Sequence, residues 1–91
     1  MNGQQDETRY RILILNAAQK DIRKIQKQDV ERIDRRILDL ADAPRAYGVV
    51  KLSNQEELYR ARVGEYRILF KIDDEIHTVA IARVKHRREA Y

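Results

Sequence analysis

Arginine dominates the most distinctive segment of this chain, residues 58–72, which read LYRARVGEYRILFKI. Arg60 and Arg62 precede a Gly-Glu pair, and Arg67 follows it. Arginine stays charged at every physiological pH, and its forked guanidinium matches the geometry of phosphate oxygens. If the three side chains share one face, that face suits a polyanion. The alternative is a solvated outer face of an antiparallel sheet, where arginine is common.

A second basic cluster lies at the end of the chain, where residues 83–91 read RVKHRREAY. Such a cluster fits a nucleic acid or an acidic protein segment better than a membrane surface. The alternative interpretation is a solubilising tail. The cluster contains Arg83, Lys85, Arg87 and Arg88, with His86 among them.

These two clusters together contain the groups that metal-independent RNA cleavage requires. The 2′-hydroxyl of RNA attacks the adjacent phosphate once a base removes its proton. Cations then stabilise the charge on phosphorus, and an acid protonates the departing 5′-oxygen. Arginine can stabilise that charge but cannot act as a base. His86 can transfer a proton near neutral pH, and Tyr91 can donate a proton or stack on a base.

Other kinds of site have little support in the sequence. The chain has no cysteine, and its two histidines, His77 and His86, have no carboxylates beside them in a metal-binding spacing. The acidic run 73–75 is better interpreted as a charged turn than as a metal site. Ser53 has no evident base partner that would make it a nucleophile. We therefore expect neither a metal nor another cofactor.

A β-hairpin is the element that would bring the arginines together. Gly64 suits the first central position of a type II′ turn, and the flanking residues alternate between apolar and polar. Arg62 and Arg67 are then direct neighbours on the polar face, which destabilises the hairpin by roughly a few tenths of a kcal/mol or more unless an anion binds. A two-residue turn predicts the pairs Val63–Tyr66, Arg62–Arg67, Ala61–Ile68, Arg60–Leu69 and Tyr59–Phe70.

The last strand is predicted from Ile76 to about Lys85. If the preceding Asp73-Asp74 turn also has two residues, the small side chains of this strand lie on the arginine face, and His86 continues the same alternation. A turn that is one residue longer would reverse the faces of the whole strand. The small residues are Thr78, Ala80, Ala82 and Val84.

The first half of the chain predicts a strand at residues 10–15 and two helices. Asn16 is placed to cap the first helix, with Gln19 in capping-box spacing. The second helix extends from about Lys27 to Asp42, where an apolar stripe recurs with helical periodicity before Pro44. The predicted fold is α+β in the order β-α-α-β-β-β, with an antiparallel sheet and the helical hairpin packed on one face.

Composition indicates one small folded domain. The chain has 91 residues, of which 43% are hydrophobic and 37% are charged. We expect a flexible N-terminal end at residues 1–8 and a single domain at residues 9–91. The net charge of +4 favours an anionic partner. No apolar run reaches the roughly 18 residues of a membrane span, and no signal-peptide core follows the polar start, so we expect no membrane association and a cytoplasmic location.

Two stretches, YRARVGEYRILFKI and VAIARVKHRREAY, resemble the RelE/ParE superfamily of toxins from type II toxin–antitoxin modules, and most closely its RelE-type branch. The resemblance covers nearly the whole chain. It implies a RelE-like fold and a metal-independent endoribonuclease that cleaves messenger RNA, commonly on the ribosome. It also implies inhibition by a cognate acidic antitoxin, with a heterotetramer as a possible assembly.

The resemblance also implies roles for individual residues. Arg67 matches an arginine that contacts the scissile phosphate, whereas Arg60 and Arg62 replace lysines, one of which is proposed as the base in the best-known type. Lys85 stands where the family usually has a glycine. The implied catalytic residues are Arg67, His86, Arg87 and Tyr91, and the implied phosphate-binding residues are Arg60, Arg62, Arg83, Lys85 and Arg88.

Two other functions stay open at this point. A ParE-like protein would inhibit DNA gyrase by binding it and would have no nuclease activity. The third candidate is a non-catalytic module that binds RNA or the antitoxin. His86, Arg87 and Tyr91 favour the nuclease, because a protein that only binds gyrase needs no titrating group at this position.

Overall fold

The computed structural model describes residues 9–53 and 57–89, which form a five-stranded sheet with two helices on one face. The strands lie in the order β1-β5-β4-β3-β2. The predicted flexible end at residues 1–8 lies outside the described residues. In chain order the elements are β1 (Arg11–Ile14), α1 (Asn16–Arg23), α2 (Lys27–Asp42), β2 (Val50–Ser53), β3 (Leu58–Val63), β4 (Tyr66–Asp73), β5 (Thr78–His86) and a short 3₁₀ turn, η1 (Arg87–Glu89).

The predicted α+β class is confirmed, with two corrections to the sheet. The sequence analysis missed β2, a short edge strand that pairs antiparallel with β3. The sheet is mixed rather than antiparallel, because β1 pairs parallel with β5. Helices α1 and α2 lie between β1 and β2 in the chain. This long connection allows β1 to lie at the opposite edge of the sheet from β2.

The core lies between the two helices and one face of the sheet. The predicted apolar face of α2 is confirmed, with Ile33, Ile37 and Leu40 buried against the strands. The cap of α1 is corrected: the N-cap is Leu15, whose extended backbone precedes the helix, and Asn16 is already helical. The strand residues of the core are Tyr59, Ala61, Ile68, Phe70, Ile72, Val79, Ile81 and Val84.

The hairpin of β3 and β4 has the predicted register at every pair from Val63–Tyr66 to Tyr59–Phe70. Gly64 has a φ of +56°, and Glu65 is not among the residues with positive φ, as a type II′ turn requires. A Cβ on Gly64 would lie 2.6 Å from Nη2 of Arg32 on α2. The positive φ of the turn is therefore what favours glycine at this position, whereas the Arg32 side chain can move to admit a Cβ.

The turn between β4 and β5 is longer than the predicted two residues, because Asp73 pairs with Thr78. The Asp73 carboxylate accepts hydrogen bonds from the backbone N–H groups of Glu75 and Ile76, at 3.1 and 3.3 Å. Asp74 accepts a hydrogen bond from the Tyr10 hydroxyl at 2.7 Å. The acidic run is thus a turn that also binds the chain just before β1.

A β-bulge then reverses the faces of β5. Ile81 pairs with Phe70 and Arg83 pairs with Leu69, which leaves Ala82 without a partner on β4. The prediction that the small residues of β5 lie on the same face as the arginines is correct for Thr78 and Ala80, which precede the bulge. It is wrong for Val84 and His86, which follow it and lie on the helix side, Val84 opposite Ile68 and His86 opposite Tyr66.

None of the helices in the described part of the chain is long and apolar enough to span a membrane.

Candidate nucleic-acid interface

Four cationic residues lie together on the face of the sheet that the helices leave open. Arg62 on β3, Arg67 on β4 and Lys85 on β5 form one continuous row of cross-strand partners. Arg60 lies two residues along β3 on the same face. We call Arg60, Arg62, Arg67 and Lys85 the basic face.

The four cations of the basic face form no close ion pair within the part of the chain that the structure describes. Among residues 9–53 and 57–89, no carboxylate forms an ion pair with any of the four. Several cations elsewhere in this part of the chain do have such partners, as in the pairs Arg9–Asp42, Arg32–Asp29, Arg45–Asp74 and Lys51–Glu57.

Arg67 is the central member of the row and is only half exposed. Its Nε is shielded from solvent and has no hydrogen-bond partner. Like charges that face each other across strands are destabilising, and a buried donor without a partner adds to that cost. A bound phosphate would neutralise the row and supply acceptor oxygens for the guanidinium groups.

Arg83, a predicted phosphate-binding residue, is held by α1 instead. Its Nε and Nη2 donate to the two carboxylate oxygens of Asp21, at 2.8 and 3.0 Å. The Val84 backbone N–H also donates to Asp21, at 2.9 Å. The hydrogen bond from Arg83 is the main cause that lowers the pKa of Asp21, against the opposing effect of burial. Arg83 therefore helps to attach α1 to β5 at the bulge, and its phosphate-binding role stays a prediction from the sequence.

His86 does not lie beside Arg67. The two side chains belong to opposite faces, because Arg67 pairs with Lys85 whereas His86 pairs with Tyr66. The His86 ring meets the Tyr66 ring edge-on, with centroids 5.2 Å apart. Its Nε2 lies 3.1 Å from Oε1 of Glu65, and its Nδ1 accepts a hydrogen bond from the Arg88 backbone N–H at 3.1 Å.

Arg87 and Arg88 are exposed residues of η1, directly beyond the end of β5. The Arg87 backbone N–H donates to the Glu65 carbonyl at 2.7 Å, so η1 is attached to the β3–β4 turn. Tyr91, the remaining predicted catalytic residue, lies outside the described residues.

Three carboxylates that support this region were missed by the sequence analysis: Asp21, Glu65 and Glu89. Glu89 had a signal in the sequence, because His86-Arg87-Arg88-Glu89 has the spacing of a capping box. Asp21 had none, since 62 positions separate it from Arg83. Glu65 was recognised only as a turn residue.

Comparison with known proteins gives the family. Residues 12–91 match the sequence profile of a family described as the ParE toxin of type II toxin–antitoxin systems. The chain belongs to this family. It is 31% identical over 83 residues to toxin RelG of Mycobacterium tuberculosis, an alignment that covers 90% of this chain and 95% of that toxin. It is 28% identical over 87 residues to toxin RelE of the same organism, with 94% and 90% covered.

Solved structures show the same architecture. A chain of the toxin–antitoxin complex RelBE2 from Mycobacterium tuberculosis superposes with a TM-score of 0.78 at 31% identity, covering 87% of this chain and 92% of that one. A chain of the archaeal RelE–RelB complex from Pyrococcus horikoshii gives a TM-score of 0.76 at 27% identity, with 89% and 98% covered. The predicted membership of the RelE-type branch of the RelE/ParE superfamily is confirmed.

The Asp21 ion pair predicts how the stability of the toxin depends on pH. Because the pKa of Asp21 is lowered in the folded state, its carboxylate stabilises the fold fully above the unfolded-state pKa of about 4, and this stabilisation is lost as pH falls through the folded-state pKa. Asp21→Asn should lower the free energy of unfolding at pH 7 by about 1–2 kcal/mol. Urea denaturation should also show a shallower loss of stability below about pH 4 than in the wild type.

Asp34→Asn provides the matched control, because Asp34 is exposed on α2 and forms no ion pair with any residue in the described ranges 9–53 and 57–89. It should leave the wild-type pH profile unchanged. An Asp21→Asn profile parallel to that of the wild type would contradict a stabilising role for this carboxylate.

Proposed function

We propose that this toxin is a RelE-like endoribonuclease that cleaves messenger RNA on the ribosome without a metal and so inhibits translation. The observation that carries the proposal is the unpaired row Arg62–Arg67–Lys85. A row of uncompensated cations across three strands is suited to consecutive phosphates of a single-stranded backbone. The relatives named toxin RelE and toxin RelG support this class of toxin.

In the proposed mechanism Arg67 binds the scissile phosphate. It lies at the centre of the row, so charge that develops on the phosphate oxygens would be flanked by Arg62 on one side and Lys85 on the other. Arg60 would bind a neighbouring phosphate, and Arg87 would extend the cationic surface beyond β5. Fixed cations that meet charge as it develops are among the largest contributions to catalysis.

Lys85 is our candidate for proton donation to the departing 5′-oxygen. It is the direct partner of Arg67, and an ammonium can release a proton, which arginine cannot do in a protein. The proton-transfer role of His86 stays a prediction from the sequence, and the register gives it no position beside Arg67. Tyr91 keeps its predicted role of stacking on a base or donating a proton.

Arg67→Ala should reduce cleavage of messenger RNA by about 100- to 1,000-fold, because it removes the group that stabilises charge on the scissile phosphate. The measurement is mapping of RNA ends in a single-turnover reaction on programmed ribosomes. Arg35→Ala is the matched control, since it removes the same charge from an exposed position on α2. If Arg67→Ala folds and cleaves as fast as the control, the proposed site is wrong.

Lys85→Arg should separate charge from proton transfer. Arginine preserves the positive charge opposite Arg67 but holds its proton, so RNA binding should stay close to that of the wild type while the single-turnover rate falls by about 100-fold or more. Lys85→Ala should weaken binding as well. A Lys85→Arg variant with the wild-type rate would restrict Lys85 to phosphate binding and refute its role as the acid.

We also propose an acidic antitoxin as the protein partner, with the predicted heterotetramer as one assembly. Similar toxin chains are found in the RelBE2 and RelE–RelB complexes. Here the basic face offers charge complementarity, and β1 and β2 are edge strands to which an extended segment can add.

The affinity of the toxin for its antitoxin should therefore fall as salt rises, because exposed charge pairs are screened over about 8–10 Å near physiological ionic strength. Isothermal titration of the purified partners at several salt concentrations measures this effect. An affinity that is constant across the series would show that apolar contacts dominate the interface.

Inhibition of DNA gyrase is the second candidate function, and the family description as ParE toxin favours it. A supercoiling assay run beside the cleavage assay distinguishes the two. Gyrase inhibition by a wild-type protein that leaves messenger RNA intact would replace the nuclease proposal with this one.

A further inference from the structure

The end of β5 has a pair of reciprocal hydrogen bonds similar to a capping box, with His86 in place of the usual serine or threonine and the second residue of η1 as the amide donor. The Nδ1 atom of His86 accepts the backbone N–H of Arg88 at 3.1 Å. In return, Oε1 of Glu89 accepts the backbone N–H of His86 at 2.9 Å. These reciprocal bonds satisfy two amide donors at the start of η1, as a Ser-x-x-Glu box does at a helix N-terminus.

The other side of the His86 ring faces the β3–β4 turn. Its Nε2 lies 3.1 Å from Oε1 of Glu65, and the carbonyl of the same Glu65 accepts the Arg87 backbone N–H at 2.7 Å. Glu65 thus contacts the C-terminal segment twice, once through its side chain and once through its backbone. The imidazole, packed edge-on against Tyr66, bridges the turn and η1.

These contacts select one tautomer of the neutral ring. Nδ1 must lack a proton to accept the Arg88 N–H, so the proton of the neutral ring lies on Nε2 and points to the Glu65 carboxylate. Both ring nitrogens therefore already have a partner within the protein, the Arg88 N–H at Nδ1 and the Glu65 carboxylate at Nε2. A proton exchanged with RNA would break one of the two contacts, and the ring lies on the face opposite Arg67.

We propose that His86 is a positioning residue: its neutral imidazole attaches η1 to the β3–β4 turn and thereby holds the backbone of Arg87 and Arg88 next to Lys85. The attachment follows from the contacts alone. Its consequence for catalysis rests on the proposed nuclease function, because Arg87 is two residues beyond Lys85 and extends the cationic surface that would bind RNA.

Two substitutions separate positioning from proton transfer, because neither replacement titrates. His86→Asn places an amide oxygen close to the position of Nδ1, where it can accept the Arg88 N–H as in an Asx turn. His86→Gln places its amide near the position of Nε2 and leaves the Arg88 N–H without this acceptor. If His86 transfers a proton, both variants should lose cleavage activity to the same extent. If His86 positions η1, His86→Asn should keep most of the cleavage activity that His86→Gln loses.

The first measurement does not depend on nuclease activity. Long-range ¹H–¹⁵N NMR spectra of the isolated toxin at neutral pH should show a neutral His86 ring with its proton on Nε2. Exchange of the Arg88 amide should be slow in the wild type and in His86→Asn, and fast in His86→Gln. A ring with its proton on Nδ1, a charged ring, or equally fast exchange in all three proteins would overturn the proposal.

The second measurement is single-turnover cleavage by folded variants. His86→Gln should lose up to about 100-fold, the loss expected when reacting groups are misplaced by about 1 Å, and His86→Asn should recover most of it. In an Arg87→Ala background, His86→Gln should cause little further loss, because the residue through which it acts is already absent. Equal loss in the asparagine and glutamine variants, or an undiminished loss in the Arg87→Ala background, would overturn the positioning role.

The two measurements fail separately. Absence of cleavage by the wild type would refute the proposed function, while the NMR spectra would still decide whether His86 attaches η1. A wild-type protein that cleaves RNA but whose Arg88 amide exchanges fast would refute the positioning role and leave the proposed nuclease function standing.

Discussion

Ala82 has no partner on β4, and this one extra residue decides which face every later residue of β5 occupies. Asp21 on α1 holds the bulge by binding the side chain of Arg83 and the backbone N–H of Val84. With the bulge, Val84 enters the core and Lys85 joins the basic face. Without it, the alternation would bring a lysine to the core face and expose a valine. The same carboxylate therefore supports both the packing of the sheet and the charge pattern on its open face.

Charge compensation differs between the row through Arg67 and other guanidinium groups of the molecule. Carboxylates neutralise several of those other groups, as Asp21 on α1 does for Arg83 and Asp74 does for Arg45. On the open side, the row through Arg67 has no such partner in the described part of the chain. Mutual repulsion within that row lowers the stability of the free protein, and an anion that binds there relieves it. The arrangement thus favours ligand binding over the stability of the unbound fold.

Local chemistry determined the hairpin and α2 from the sequence alone. A two-residue turn at Gly64 permits one pairing of the flanking strands, so the opposition of Arg62 and Arg67 could be predicted and is confirmed. The bounds of α2 were equally predictable, because its apolar period runs uninterrupted from Lys27 to Asp42 and ends before Pro44. In both cases the information lies within a few residues of the structure that it specifies.

Only the tertiary structure decided how the two basic clusters are arranged. The bulge depends on Asp21, which lies 63 positions from Val84, and the parallel pairing of β1 with β5 joins opposite ends of the chain. No local pattern encodes such contacts, so counting alternate residues placed His86 on the wrong face and left Lys85 off the row. The sequence therefore determined which cations are present and how two of them pair. Packing of α1 on β5 determined that Lys85 is the third cation of the row. The bulge that turns Lys85 to this face needs an acceptor for the backbone N–H of Val84, and Asp21 supplies it from a distant part of the sequence.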